Sequence, residues 1–242
     1  MIRNTLDNIA YDLLTTIKQY HDDSSLDIRQ IKYWIRNSRS VWVKNELNKN
    51  KPISPTFTQN LGCVDLCWQS ASSCGLPSDF NIKRTELLIP TTIETHFEPT
   101  FTRIGPTMIL DGKFTFVPYD RIPYIGSRRF NTNSIYAFWL DNRIYLACKG
   151  DTLNYRMMDK VNIQGVFFDP EECSVFTKCD GTPVYTDSTE YPITGYLVAY
   201  MKDILMQGDI RIMMSANTDP LNNAHDNSNS NQAPAGSRPA EQ

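Results

Sequence analysis

The sequence predicts an α+β protein with an N-terminal helical hairpin, a central antiparallel β-rich domain carrying one or two further helices, and a disordered C-terminal tail. Three observations carry this. Apolar residues in 2–49 recur at three- and four-residue intervals, the period of a helical face. From Leu61 the period shortens towards two, in runs separated by Pro and Gly. After Met214 the composition turns to Asn, Ser, Ala and Pro, which cannot bury enough apolar surface to offset chain entropy. The expected units are 1–58, the helical hairpin; 59–216, the β-rich domain ending in a helix; and 217–242, the tail.

Residues 2–20 read as a first helix, with Ile2, Leu6, Ile9, Ala10, Leu13, Leu14 and Ile17 on one stripe. A short polar turn, 21–25, then predicts an αα-hairpin. The second helix, 27–49, has the strongest periodicity in the chain. Asp27 is its expected N-cap, with Gln30 placed to close a capping box. Ile28, Ile31, Ile35, Ser38, Val41 or Trp42, and Leu47 mark its inner face. Its other face is basic, with seven Lys or Arg from Arg29 to Lys51 against Glu46 alone. Pro52 and Pro55 end it, because proline cannot continue a helix.

Strands are expected at 62–68, 83–89, 114–117, 134–140, 143–148 and 161–168. The clearest β signal is the pair 134–140 and 143–148. The intervening Asp141-Asn142 tolerates the positive φ of a type I′ hairpin turn. Asp169-Pro170-Glu171-Glu172 reads as a capped helix start. Residues 196–207 form a last helix, closed by Gly208.

Composition bounds the function. The chain has 242 residues, 40% hydrophobic and 21% charged, the balance of a folded globular protein. No apolar run reaches the roughly 18 residues a membrane span needs, and the start lacks a signal-peptide core. A protein folding in a cytoplasm, with no membrane partner, is expected. A net charge of −3 disfavours a surface built wholly for phosphate neutralisation. The charge is nevertheless uneven: residues 1–27 carry five Asp against Arg3 and Lys18, ahead of the basic helix. Such asymmetry fits an antiparallel helix pair or two different neighbours in an assembly. The six cysteines do not form a disulfide scaffold in a chain this long, and in a reducing compartment they remain thiols.

Chemistry-bearing patterns are weak. Cys63, Cys67 and Cys74 with His96 have looser spacing than a structural zinc knuckle, so buried thiols are the simpler reading and no metal is expected. Only His21, His96 and His225 could serve as a catalytic base, none within a recognisable motif. Paired acids such as Asp22/Asp23 and Glu171/Glu172 fit turns and caps. No catalytic residue or cofactor is predicted. The loop 121–130 stands out, since it presents Arg121, Arg128 and Arg129 with Tyr124 and Phe130. Arg and Tyr are enriched among interface anchors. The candidate interface is therefore Arg29, Arg36, Arg39, Trp42, Arg121, Tyr124, Arg128 and Arg129.

Seven segments, LDIRQI (26–31), QNLGC (59–63), TRIGP (102–106), YDRIPY (119–124), SIYAF (134–138), GVFFDPEE (165–172) and YPI (191–193), resemble in this order a structural protein of crAss-like tailed bacteriophages. The likeness covers residues 2–215. It implies a virion protein of the head-to-tail connector: a non-enzymatic ring subunit below the portal, around the DNA channel. The partners it implies are further copies in a dodecameric ring, portal and other connector or tail ring proteins, and DNA in transit. Assembly would take place in the host cytoplasm. Two other classes remain open: a tail-associated enzyme, such as a peptidoglycan hydrolase or nuclease, and a DNA-binding module using Arg29, Arg36 and Arg39.

Overall fold

Helical apolar spacing at the N-terminus produces two helices, α1 (Leu6–Tyr20) and α2 (Ile28–Asn48). The computed structural model describes residues 4–20, 26–49, 52, 54–95, 99–108, 112–128 and 130–208. The expected disordered tail, the turn 21–25, the three histidines and Arg129 lie outside the described residues.

Asp27 caps α2 by accepting the Arg29 N–H at 3.2 Å, while Gln30 donates its own N–H to the Asp27 carbonyl at 3.0 Å. The buried line of α2 is Ile31, Ile35, Arg39 and Val43, a strict four-residue interval, with Ser40 beside it. Val41 points outward, so the stripe runs through Val43 and takes in an arginine. On α1 the buried line is Leu6, Ile9, Ala10, Leu13 and Ile17, as the spacing predicts. Helix α1 packs on α2, with Asp7 paired to Lys32 at 2.5 Å. The charge asymmetry of the two helices is thus used, at least here, inside one chain.

The β-rich part is a seven-stranded sheet of strands β1 (Gln59–Gln69), β2 (Asn81–Thr85), β3 (Phe101–Pro106), β4 (Thr115–Phe116), β5 (Tyr136–Leu140), β6 (Arg143–Cys148) and β7 (Lys160–Gly165). Their spatial order is β3-β7-β1-β2-β6-β5-β4. Every neighbouring pair is antiparallel except β4 with β5. Strand β1 joins two halves, since residues 59–65 pair with β7 and 66–69 pair with β2. The sheet curls until its outer strands approach. The Phe114 N–H donates to the Ile104 carbonyl at 2.7 Å, and Phe101 packs against Phe116 and Trp139.

The β5–β6 hairpin turns as predicted, with φ of 48° at Asp141 and 55° at Asn142. Strand β2 stops at Thr85, short of the expected 89, because Glu86-Leu87-Leu88 swings outward before the Ile89 N–H returns to the Asn142 carbonyl. Strand β3 and the four-residue helix α3 (Leu153–Arg156) have no counterpart in the sequence reading. The 170–175 segment is a 3-10 helix capped by Asp169, which accepts the Glu171 N–H. Helix α4 (Gly195–Gln207) buries Leu197, Met201 and Leu205.

One hydrophobic cluster runs from α1, α2 and α4 through the inner faces of β1, β7 and β6. A second, of Phe80, Ile82, Ile122, Phe138, Tyr145 and Ala147 with the 71–76 segment, covers the other face of the β2–β6–β5 portion. Five of the six positions of β6 are buried for this reason.

One expectation is overturned. Cys63 and Cys179, 116 residues apart in sequence, form a disulfide with Cα atoms 5.0 Å apart. The approach depends on a bulge in β1, where Gly62 has φ +76°. A Cβ at Gly62 would stand 2.7 Å from Lys178 Cα and 2.8 Å from the Thr177 carbonyl oxygen. Only glycine lets the 177–179 segment lie against the strand closely enough for the bridge. The remaining described cysteines, 67, 74, 148 and 173, are free.

Candidate functional site

The candidate residues fall on two elements, α2 and the loop after β4. On α2 the structure divides them. Arg29 is exposed in the first turn. Arg36 is engaged within the chain, with Nη1 2.9 Å from Asp169 Oδ2 and Nη2 hydrogen-bonded to Glu171 Oε2. Trp42 is half-buried between Phe57 and Tyr196, with ring centroids at 5.4 and 6.2 Å. Arg39, expected on the basic outer face, is 0% exposed. The four-residue interval rotates it under the helix, where its Nε donates to the Pro192 carbonyl at 2.8 Å and its Nη1 to the Phe167 carbonyl at 2.9 Å. The guanidinium also lies 5.6 Å from the Tyr191 ring centroid. Arg29, Arg36 and Arg39 therefore do not form one cationic row, and the reading that they grip duplex DNA together loses its geometric basis.

The Arg39 surroundings titrate unusually. Burial raises both the Cys173 thiol and the Tyr191 phenol to about 12, and lowers Arg39 from its ordinary value. For the two acids, the unfolded chain releases protons from about pH 9, the ordinary thiol value, while the native state holds them to about 12. Across that window the unfolded state binds fewer protons, so stability falls as pH rises. Chemical denaturation from pH 8 to 11 is expected to show a flat unfolding free energy below about 9 and a steady decline above it. A curve that stays flat to pH 11 contradicts this burial.

The loop after β4 is anchored from beneath. Residues 119–124 form a 3-10 helix whose Ile122 is buried in the second cluster, and the Tyr119 hydroxyl donates to the Cys74 carbonyl. Gly126, at φ +67°, lets the chain pass over Lys149, whose Cβ would lie 2.8 Å from an added side chain. Thr132 Oγ1 donates back to the Arg128 carbonyl at 3.1 Å. The result is a braced projection bearing Tyr124 at 79% and Phe130 at 92% exposure, with Arg121 and Arg128 also exposed. The structure thus brings Arg121, Tyr124 and Arg128 onto one loop, apart from the α2 residues.

The loose cysteine constellation is dispersed. Cys63 is bonded to Cys179, Cys74 belongs to the second cluster, and Cys67 lies beside the Arg84 side chain. Among the described residues, no group of three His, Cys, Asp or Glu is placed to hold a metal ion, and no helix is long and apolar enough to cross a membrane.

Lys83 is a residue the sequence reading missed. It is buried on β2, where its Nζ donates to the carbonyls of Arg156 (2.9 Å) and Met158 and lies 4.6 Å from the Trp68 ring centroid. Burial lowers its pKa, and Asp159 opposes the shift. It ties β2 to the turn after α3. No local pattern marks a lysine for that role, because its partners are backbone carbonyls more than 70 residues away.

The chain is 25% identical over 224 residues to "Ring protein 2" of Bacteroides phage crAss001, covering 92% of this chain and 97% of that protein. The family model described as phage tail ring protein 2 matches residues 8–228, from within α1 to beyond α4. A match that takes in both the helical layer and the whole sheet identifies the chain as a member of the phage tail ring protein 2 family, a structural component of the virion.

Proposed function

We propose that this protein assembles into a closed homo-oligomeric ring in the head-to-tail connector or tail, below the portal and around the path of the DNA. The observation that carries the reading is the family match over residues 8–228, which takes in most of α1 and every later described helix and strand. Copies in a closed ring meet through two different patches of each subunit, and the braced 119–130 loop supplies one surface suited to such a contact. Arg121, Tyr124 and Arg128 are its available anchors, together with Arg29 on α2, whereas Arg36, Arg39 and Trp42 serve inside the subunit. A net charge of −3 suits a wall past which DNA slides without being held.

The test is the mass of the purified full chain in solution, alone and mixed with the portal protein of the same genome. A discrete large oligomer, or a stoichiometric complex formed only with portal, is the expected result. A chain that stays monomeric and ignores portal overturns the portal-proximal ring.

A further inference from the structure

Resting on that ring reading, we infer how one subunit grips the next: the 119–130 loop of one copy docks in a groove at the far end of β6 of its neighbour. The groove has a volume of about 550 Å³ and lies between the 86–91 segment and the 172–176 turn. Leu88 and Val175, 59% and 66% exposed, form its apolar walls with Leu87, above the buried Ile89 and Phe176. Glu86 and Glu172 stand at its rim, both exposed, and neither carboxylate takes part in an ion pair among the described residues. Arg143, also at the rim, has its guanidinium turned to the carbonyls of Thr85 and Glu86.

The loop is the chemical complement of this groove. Tyr124 and Phe130 supply ring faces for the apolar walls. Arg121 and Arg128 are exposed and carry no ion pair among the described residues, so they are available to Glu86 and Glu172. Asp120 is the one described carboxylate on the projection. Buried alone in solvent-free contact, either set of charges would be unfavourable, but facing each other they are compensated.

Position decides that the contact is between copies. The groove touches Asn142 and Arg143, at the start of β6. The loop is braced on Lys149 and the 132–133 turn, just past its end at Cys148. Five strand steps, at roughly 3.3 Å each, separate the two patches by about 17 Å. The loop is pinned at Ile122 and cannot reach the groove of its own subunit. A subunit with its plug at one end of a strand and its socket at the other makes head-to-tail contacts, the kind that closes into a ring when the rotation between successive subunits completes a full turn.

The experiment uses two full-length variants, R121E/R128E (plug) and E86K/E172K (socket), under whichever condition assembles the wild type, alone or with portal. All four side chains are exposed, so unchanged thermal midpoints verify folding. Each variant is expected to lose self-association by at least about tenfold. An equimolar mixture of the two should regain assembly with the variants alternating, because the wild-type plug of one meets the wild-type socket of the other and the reversed plug meets the reversed socket. Combining all four substitutions in one chain should restore assembly. Rings formed normally by both single-patch variants overturn this interface and leave the ring reading standing. A wild type that never self-associates, with or without portal, overturns the ring reading and this interface with it.

Discussion

Replacing Arg39 by alanine is expected to destabilise the chain by about 3–5 kcal/mol. The guanidinium is buried and is the hydrogen-bond donor for the carbonyls of Phe167 and Pro192. Truncation leaves both carbonyls buried without that donor, at about 1–3 kcal/mol each, and opens a cavity beneath the helix. Arg39→Met separates the two costs, since it keeps most of the volume and removes only the donors. It should lie between wild type and alanine. Arg39 Nη2 and the Tyr191 hydroxyl are buried beside this pair of bonds, with no protein partner among the described residues. Urea unfolding of the three proteins measures the ordering. An alanine variant within about 0.5 kcal/mol of wild type, the range of ordinary surface changes, would show that Arg39 does not hold α2 to the end of β7.

Opening the Cys63–Cys179 bridge is expected to cost about 2–5 kcal/mol, because it closes a long loop whose freedom the unfolded chain would otherwise regain. For a chain of this size that corresponds to a fall in thermal midpoint of roughly 5–15 °C. Cys179 is exposed and Cys63 only half-buried, so a small thiol reductant reaches the bond without prior unfolding. The midpoint of oxidised wild type should therefore drop on adding dithiothreitol, while C63S/C179S already shows the lower value and ignores the reductant. Thiol titration under denaturing, non-reducing conditions should find four free cysteines, 67, 74, 148 and 173. Six titrating thiols, with a midpoint indifferent to reductant, would remove the bridge from the folded protein.

Local pattern sufficed wherever a side chain's neighbours lie within a turn or a hairpin. The helices α1, α2 and α4 follow from three- and four-residue spacing, and the β5–β6 turn from two residues that tolerate positive φ. The seven ordered segments resembling crAss-like phage structural proteins pointed to the family that the match over residues 8–228 establishes. Strand β3 escaped notice because it contains Gly105 and ends in Pro106, a composition tolerated at an outer strand. Strand β2 is shorter than its pattern predicts, because the apolar run continues through Leu87 and Leu88, which the structure turns towards solvent.

The candidate surface was legible only in part. The 119–130 loop, rich in Arg and aromatics, does project, since its exposure follows from its own composition and its brace at Ile122. On α2 the cationic face could be counted along the chain, yet its orientation could not. An arginine at the position of the inward stripe is stable only where acceptors meet it, and those of Arg39 come from Phe167 and Pro192, more than 120 residues distant. The same holds for Lys83, for the pairing of Cys63 with Cys179, and for the groove between 86–91 and 172–176. Periodicity and turn chemistry report what a residue does to its near neighbours. Burial of a charge, closure of a bridge and the meeting of two loops depend on contacts distant in sequence, which exist only once the sheet has curled and the helices have packed on it.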